Sequence, residues 1–305
     1  MFRDAADVKS RFEALGYITP DGAAAAVFMA DRLEKPLLVE GPVGAGKTEL
    51  ARTWAATAGM EFIRLQCYEG LDEAKALYEW EYAKQLLYTQ ILKDKLAQTL
   101  GDASTLREAA ARLAGEEDLF FSMDFIAPRP VLRALMSEKP ALLLVDEVDR
   151  ADAEFEAFLL EVLSDFAISI PEIGTVKAVR VPRVVLTSNA SREISDALRR
   201  RCLHLDLAVP SREDEARIVA SRVPGIAAAL CAKVAAFAEN VRRMNVARPP
   251  SVSETIDWAR ALVVLAAPDL DRETVRRTLG LLVKNADDAA RVLADLDKLS
   301  GKPVS

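Results

Sequence analysis

The sequence has little histidine and little cysteine, and its few aromatic residues make up 6% of the chain. Its 305 residues include one histidine and three cysteines. Cys67, Cys202 and Cys231 lie far apart and form no CxxC pair, so we expect reduced thiols rather than disulfides. A metal site built on histidines is not expected. Nothing around His204 marks it as part of a catalytic triad, and we interpret it as a residue at the edge of a strand.

The chain also lacks long apolar runs and an excess of positive charge. No segment approaches the roughly 18 apolar residues that span a bilayer. The N-terminal residues 1–12 are charged and have no apolar core of the kind found in signal peptides, so we expect a soluble cytoplasmic protein. The formal net charge is −7, whereas proteins that bind nucleic acid usually present a basic surface. Nucleic acid is therefore not the expected partner, although a local basic patch stays open.

Length and pattern together predict two domains. Hydrophobic residues make up 51% of the chain, which is enough for a substantial core. From Ser211 onward the pattern is helical, with four helices expected and no strand signal. We predict an α/β domain over residues 1–209 and an all-α domain over residues 210–305. Apolar runs typical of buried strands lie at residues 36–40, 62–67, 141–145, 184–189 and 203–207.

Three other segments have distinctive patterns. Residues 73–115 are rich in Ala, Leu, Lys and Glu, which predicts a long helical region. Residues 166–170 and 175–181 are rich in β-forming residues and predict a hairpin. Residues 153–163 predict an amphipathic helix, whose apolar face carries Phe155, Phe158, Leu159 and Val162.

The strongest motif is a glycine-rich run between a predicted strand and a predicted helix. It matches GxxxxGK[ST] and consists of Gly41, Pro42, Val43, Gly44, Ala45, Gly46, Lys47 and Thr48. Glycines let the backbone turn its amides inward as a cradle for phosphate oxygens. In such loops the lysine reaches the β- and γ-phosphates and the Thr hydroxyl ligates Mg²⁺. The sequence therefore predicts a site for a nucleoside triphosphate with Mg²⁺.

An acidic pair follows an apolar strand about a hundred residues later. Asp146 and Glu147 come directly after Leu142 to Val145, and the carboxyl ends of parallel strands open onto the ligand crevice. We predict that Asp146 holds Mg²⁺ and that Glu147 orients or deprotonates the attacking water. The alternative is that an acid here caps the next helix, a role that Asp149 or Asp152 could also fill.

Polar residues end another predicted strand, and a basic triplet follows it. Asn189 could hydrogen-bond both the γ-phosphate and the attacking water, or it could be a turn residue. The triplet at 199–201 could be a solvated helix end. It could also place an arginine on a neighbouring subunit's ATP, with Arg201 as first choice and Arg200 as second.

The order of these motifs resembles an AAA+ ATPase over nearly the whole chain: strand, P-loop, acidic pair, Asn sensor, the LRRRC run (198–202) and a helical lid. Within that class it is most similar to the MoxR branch. Two stretches, RLQCYEGLDEAKALYEW (64–80) and SVSETIDWARAL (251–262), resemble the accessory ATPases encoded beside carbon monoxide dehydrogenase and related molybdenum hydroxylases.

The resemblance implies a P-loop NTPase fold with three layers (helices, sheet, helices). The sheet would be parallel and five-stranded, and an all-α lid would follow at the C-terminus. It implies ATP hydrolysis with Mg²⁺ in a homo-oligomeric ring of six subunits. It also implies a partner with a von Willebrand factor A domain and a molybdenum hydroxylase client that the chain helps to mature. The alternative is a clamp-loader-like or helicase-like ATPase acting on nucleic acid, because the LRRRC run also resembles a clamp-loader motif.

Two regions of the chain are compared further with the AAA+ pattern: the lid and the segment after the second strand. Many AAA+ lids carry a sensor arginine where this chain has Ser251, and Arg248 is the nearby candidate to replace it. The segment after the second strand often presents pore loops, which makes Tyr68 and Leu71 candidate contacts to a client. The alternative is that the aromatic residues of this segment only pack a helical insert.

Overall fold

The computed structural model describes residues 2–88, 90, 122–171 and 173–296. The strands are β1 (Leu37–Glu40), β2 (Glu61–Gln66), β3 (Tyr78–Trp80), β4 (Ile126–Pro128), β5 (Ala141–Asp146), β6 (Ala167–Ile170), β7 (Gly174–Lys177), β8 (Arg183–Ser188) and β9 (Leu203–Asp206).

Helices precede, separate and follow these strands, and residues 82–88 are also helical. The helices are α1 (Ala5–Ala14), α2 (Asp21–Leu33), α3 (Lys47–Ala58), α4 (Glu73–Leu77), α5 (Pro130–Met136), α6 (Ala153–Asp165), α7 (Asp196–Arg201), α8 (Arg212–Arg222), α9 (Ala228–Arg243), α10 (Val252–Val264), α11 (Arg272–Leu282) and α12 (Ala286–Ala294). Short 3₁₀ turns lie at Met123–Phe125 and Val148–Arg150.

Five strands form a parallel sheet in the order β2-β5-β8-β1-β9. Every residue of β1 and β5 is buried, as expected for strands covered on both faces. The five-stranded parallel sheet predicted from the sequence is confirmed. Strand β8 lies between β1 and β5, so the chain segments that follow these three strands emerge side by side.

Helices cover both faces of the sheet, which makes three layers. On β5, Leu142 and Leu144 pack into a core that also holds Trp54 of α3. Leu143 and Val145 pack into a second core that also holds residues of α5 and α6. Because successive strand side chains point to opposite faces, one apolar run supplies both cores. The predicted αβα architecture is confirmed.

The long helix predicted over residues 73–115 is wrong in its first part. Helix α4 ends at Leu77, and residues 78–80 form β3, which pairs antiparallel with β4. Tyr78 and Trp80 pack against the buried core beside α5, and aromatic side chains favour such pleated, half-buried positions. Tertiary packing therefore overrides helix propensity here. Residues 89 and 91–115 of the predicted helix lie outside the described residues.

The predicted hairpin and amphipathic helix are both present. Strands β6 and β7 pair antiparallel, although β7 ends at Lys177, earlier than expected. All four residues predicted for the apolar face of α6 are buried, namely Phe155, Phe158, Leu159 and Val162. Asp152 caps α6 by accepting the backbone N–H of Phe155 at 2.9 Å.

The C-terminal part of the described chain is helical, from α8 to α12, with a core of its own. Trp258 is fully buried there, and its indole N–H donates to the Thr278 hydroxyl at 2.8 Å. The prediction of four helices is wrong, because the chain breaks again between α11 and α12. No proline marks that break. Instead, Asn285 caps α12 by accepting two backbone N–H groups.

Helix α8 contacts helices α1 and α3 of the α/β part through two ion pairs. Arg217 lies 3.4 Å from Glu13 of α1, and Arg222 forms an ion pair with Glu49 of α3. These contacts hold the helical part beside the start of α3, where the glycine-rich run ends. None of the described helices combines the length and apolarity needed to cross a membrane.

Candidate nucleotide-binding site

The glycine-rich run forms a tight loop between β1 and α3. Gly41, Gly44 and Gly46 have φ angles of 148°, 81° and 94°, a region that favours glycine. A Cβ on Gly41 would overlap the carbonyl oxygen of Leu207. A Cβ on Gly44 would overlap the side chain of Ser251. The loop is therefore closed in by backbone on one side and by the helical part on the other.

Lys47 is the first residue of α3 and is buried beneath the loop. Its ammonium group donates to the carbonyl oxygens of Gly41 and Pro42 at 2.6 and 2.9 Å, and to Oδ1 of Asn189 at 2.8 Å. Burial lowers the pKa of Lys47, an effect that the nearby carboxylates oppose. Phosphate oxygens in the loop could replace the two carbonyls as partners of this ammonium group.

Thr48 and Asp146 face each other at the carboxyl edge of the sheet. The Thr48 hydroxyl lies 3.1 and 3.2 Å from the two carboxylate oxygens of Asp146. Both side chains offer the hard oxygen ligands that Mg²⁺ prefers, and Mg²⁺ is usually held by one or two such groups plus substrate phosphates. The residues therefore fit a magnesium site that phosphate oxygens complete.

The Asp146 carboxylate has two further partners that the sequence motifs did not reveal. The buried hydroxyl of Thr187 donates to Oδ1 at 2.5 Å. The guanidinium of Arg64 lies 2.6 Å from Oδ2. Both residues lie on strands next to β5, and β2 places Arg64 two residues before its end. In the sequence, such residues can be noticed as polar side chains within predicted strands, because buried parallel strands are otherwise apolar.

Glu147 is held in an uncommon conformation with φ of 58°, which is costly for a residue with a side chain. Its backbone N–H donates to the hydroxyl of Thr187 at 2.9 Å. Its carboxylate accepts from Gln66 at 3.0 Å and from Asn189 at 3.3 Å, and lies 2.9 Å from Arg150. The carboxylate is thus oriented from several sides while remaining partly open to solvent.

Asn189 connects the loop lysine with the second acid. Its Oδ1 accepts from Lys47 and its Nδ2 donates to Glu147. A role in a turn alone would not require these contacts. The structure therefore brings together Lys47, Thr48, Asp146, Glu147 and Asn189, as the predicted site requires.

The alternative was that an acid of this pair caps the next helix. The Glu147 side chain makes no cap hydrogen bond to the 3₁₀ turn that follows it. Asp152 is the residue that caps α6. Asp149 instead accepts hydrogen bonds from Asn189 and Ser191. Burial acts to raise the pKa of Asp149, but these hydrogen bonds outweigh it and hold the pKa below its usual value.

The arginines of the basic triplet at 199–201 differ in their contacts. Arg199 donates to both carboxylate oxygens of Glu40 at 2.7 and 2.8 Å, directly before the loop. His204, on the edge strand β9, lies 2.5 Å from the same carboxylate. Arg200 and Arg201 are both exposed, and Arg201 donates to Ser164 of α6 at 2.8 Å. The structure does not bring these two arginines to the loop of their own chain.

A cavity of about 480 Å³ opens beside the loop. Its walls come from the segment before α2, the loop itself and α10 of the helical part, including Tyr17, Ile18, Gly44 and Ile256. Burial raises the pKa of Tyr17, so its phenol is neutral near neutral pH. Binding sites for small molecules are typically concave, largely apolar and supplied with a few polar groups. This cavity, next to the phosphate cradle, fits a nucleoside in that way.

The two candidate lid-sensor positions differ in location. Ser251 caps α10 together with Glu254 and lies against Gly44 of the loop. Arg248 is exposed, and its backbone N–H donates to Asp288 at 3.1 Å. Ser251 is therefore the position that meets the loop.

The cysteines do not supply a nucleophile. Cys67, Cys202 and Cys231 are free thiols. Burial raises the pKa of Cys67 and of Cys202 to about 12, so both stay protonated near neutral pH. The groups that the structure brings together at the site are carboxylates, hydroxyls, amides and a lysine.

The fold and this constellation define a P-loop ATPase of the AAA+ class. A family model described as the AAA domain of the dynein-related subfamily matches residues 36–202, more than half of the chain. The chain belongs to this family, whose domains bind nucleotide and have ATPase activity in general. No curated protein sequence matches the chain.

Solved structures of the Thermotoga maritima RuvB protein are similar to this chain. One point mutant is 17% identical, and the match covers 100% of this chain and 80% of that one, with a TM-score of 0.48. A second point mutant and the structure described as the Holliday junction branch migration motor are each 17% identical with TM-scores of 0.45. Their matches cover 98% and 93% of this chain, and 78% and 76% of theirs. Similarity at this level carries no information about ligand or partner.

Replacing Gly41 by Ala tests the closeness of the loop to the backbone beside it. We expect Gly41→Ala to weaken ATP binding about tenfold or more, because the new methyl group would displace the loop from the Leu207 carbonyl, and tenfold corresponds to only about 1.4 kcal/mol. Titration with a fluorescent ATP analogue measures the affinity.

Gly59→Ala is the matched control for this change. Gly59 also has positive φ, but a Cβ there meets nothing within 4 Å. It should lose about 1 kcal/mol of folding stability and keep its ATP affinity. Equal affinities for the two variants would contradict the steric argument.

Proposed function

We propose that this chain is an ATP-hydrolysing AAA+ protein of the MoxR type that remodels or activates a partner protein. The client class we propose is a molybdenum-containing hydroxylase during its maturation. One observation carries the ATP-hydrolysing part of this proposal. At one edge of the sheet, hydrogen bonds link the loop lysine to Asn189 and Glu147, and Thr48 to Asp146. The Thr187 hydroxyl joins the two sets through the Glu147 backbone and the Asp146 carboxylate.

We assign the binding of the triphosphate to the loop and to Lys47. The backbone amides of residues 41–48 would surround the phosphates, with the N-terminus of α3 pointing at them. Lys47 would exchange its present carbonyl partners for β- and γ-phosphate oxygens. The cavity beside Tyr17 would take the nucleoside. We propose ATP as the nucleotide because of the family.

We assign the chemistry of hydrolysis to Glu147 and Asn189. Glu147 would accept the proton of the attacking water, and its several hydrogen bonds keep its carboxylate in a fixed orientation. Asn189 would orient the water and a γ-phosphate oxygen. Thr48 and Asp146 would hold Mg²⁺, which when bound supplies charge neutralisation at the β- and γ-phosphates.

We propose that the chains assemble into a ring, of six subunits by resemblance, with Arg201 or Arg200 reaching the ATP of a neighbour. Both arginines lie on α7 away from the loop of their own chain, whereas Arg199 is held there by Glu40. An arginine that stabilises transition-state charge accelerates phosphoryl transfer strongly. A head-to-tail ring would bring each such arginine to the next subunit.

The MoxR assignment rests on sequence resemblance in residues 64–80 and 251–262, and on the β6–β7 hairpin that comes before β8. The same resemblance is the ground for proposing a von Willebrand factor A domain protein as partner and a molybdenum hydroxylase as client. The net charge of −7 favours protein over nucleic acid as the substrate of remodelling.

The candidate client contacts after β2 differ in accessibility. Tyr68 is 46% exposed, beyond the carboxyl end of β2, and is available to a client. Leu71 is 2% exposed and packs in the core, so the prediction that Leu71 contacts the client is wrong. Tyr78 and Trp80 also pack against that core. We therefore keep Tyr68 alone as the proposed client contact in this segment.

The competing function is a clamp-loader-like or helicase-like ATPase that acts on nucleic acid. The arginine triplet is the observation that favours it. The acidic balance of the chain opposes it, because phosphate contacts supply most of the affinity for nucleic acid.

Replacing Glu147 by Gln separates nucleotide binding from turnover. We expect Glu147→Gln to bind ATP with wild-type affinity and to lose at least about a hundredfold in kcat, since a positioned base contributes about 10² to 10⁴. Turnover is measured by phosphate release. Assembly is measured by mass photometry with ATP present, and Glu147→Gln should form rings there because it keeps its ATP bound. Turnover at the wild-type rate would contradict the role of Glu147.

A mixing experiment identifies a residue that acts in the neighbouring subunit. Arg201→Ala and Lys47→Ala should each be inactive alone. Their mixture should regain part of the activity, because some interfaces then pair an intact loop with an intact arginine. A mixture that stays inactive, with rings formed, would contradict the action of Arg201 across the interface.

Comparing possible activators tests the proposed client class. We expect phosphate release to rise when a von Willebrand factor A domain protein and an immature molybdenum hydroxylase are both added. Single- and double-stranded DNA at about 150 mM salt should neither stimulate release nor shift in a gel, since the acidic balance of the chain disfavours phosphate binding. Tight DNA binding with stimulation would favour the competing function.

A further inference from the structure

Asp149 is a buried carboxylate next to the site, and the roles assigned above do not use it. It is 4% exposed and lies in the 3₁₀ turn directly after Glu147. We propose that Asp149 is a positioning residue that holds Asn189 in reach of both Lys47 and Glu147. This inference rests on the proposed function of the site and adds a residue to it.

The contacts of Asp149 converge on the segment that follows β8. Its Oδ1 accepts the backbone N–H of Asn189 at 3.2 Å. Its Oδ2 accepts the backbone N–H of Ser191 at 3.0 Å and the Ser191 hydroxyl at 2.6 Å. Three donors from one short loop therefore end on one carboxylate, which ties that loop to the turn carrying Glu147.

The loop needs such an anchor because its backbone is strained. Ala190, between the two anchored residues, has φ of 56°, a region that is costly for non-glycine residues. Its N–H donates to the Ser188 hydroxyl at 2.9 Å. Without the carboxylate, we expect the loop to relax toward ordinary φ values and to carry the Asn189 side chain away.

A carboxylate suits this position better than an amide. An ionised Asp offers acceptors on both oxygens, whereas Asn offers one oxygen and turns an NH₂ group toward the remaining N–H donors. Leaving a buried donor unpaired is costly. Asp149→Asn is therefore a small change in shape that removes one side of the anchor.

Four variants in the full chain test the role: Asp149→Asn, Asp149→Ala, Asn189→Ala and the double variant Asp149→Ala with Asn189→Ala. The readouts are kcat by phosphate release, the ATP dissociation constant by fluorescence titration, and thermal unfolding. Asp152→Ala is the matched control, since Asp152 lies three residues away and caps α6. The control should unfold more easily and keep kcat.

We expect Asp149→Asn to lower kcat about tenfold or more while the ATP dissociation constant changes less than about threefold. The double variant should be no slower than Asn189→Ala alone, because both changes remove the same interaction. If the alanine variant does not fold, the asparagine variant decides by its kcat and dissociation constant.

Three results would overturn the inference. The first is an unchanged kcat in Asp149→Asn. The second is a double variant whose loss multiplies those of the single variants. The third is a loss confined to ATP affinity, which would mean that Asp149 acts through its charge on Lys47 instead. A wild-type chain that binds ATP but releases no phosphate would contradict the proposed function itself.

Discussion

The Asp146 carboxylate is the contact on which the site depends. It ends β5 and is 2% exposed, so its charge must be met by partners within the fold. Thr48, Thr187 and Arg64 meet it from α3 and from the strands on either side of β5. One buried charge thus fixes the distance between the phosphate loop and two neighbouring strands.

Parallel strand order makes this arrangement possible. Strand β8 lies between β1 and β5, so the loop after β1, the acids after β5 and Asn189 after β8 leave the sheet at the same edge. The apolar parts of these strands hold the edge rigid by filling both cores. Groups that must converge on one phosphate are therefore carried by well-packed elements of the fold.

Much of this could be predicted from the sequence, because it depends on local patterns. The glycine-rich run, the acids after an apolar strand and the polar end of β8 each have a short signature. Arg64, Gln66 and Thr187 are visible in the sequence as polar residues within strands, but what they contact could not be found in that way. Their partners lie on other strands, and local spacing does not determine which strands become neighbours. The two errors in the helical regions have different origins. The break before α12 is made by an Asn cap rather than by a proline, and such a cap is a local signal. Residues 78–80 have helix-forming neighbours but pair with β4, far along the chain.

Everything proposed for this chain requires that its pocket bind ATP together with Mg²⁺. Calorimetric titration of the wild-type chain and of Lys47→Ala, each with and without Mg²⁺, tests this requirement. We predict saturable binding by the wild-type chain that strengthens with Mg²⁺ and weakens at least about tenfold in Lys47→Ala. A wild-type chain that takes up no ATP with Mg²⁺ present, or a Lys47→Ala variant with unchanged affinity, would show that the pocket does not work in this way.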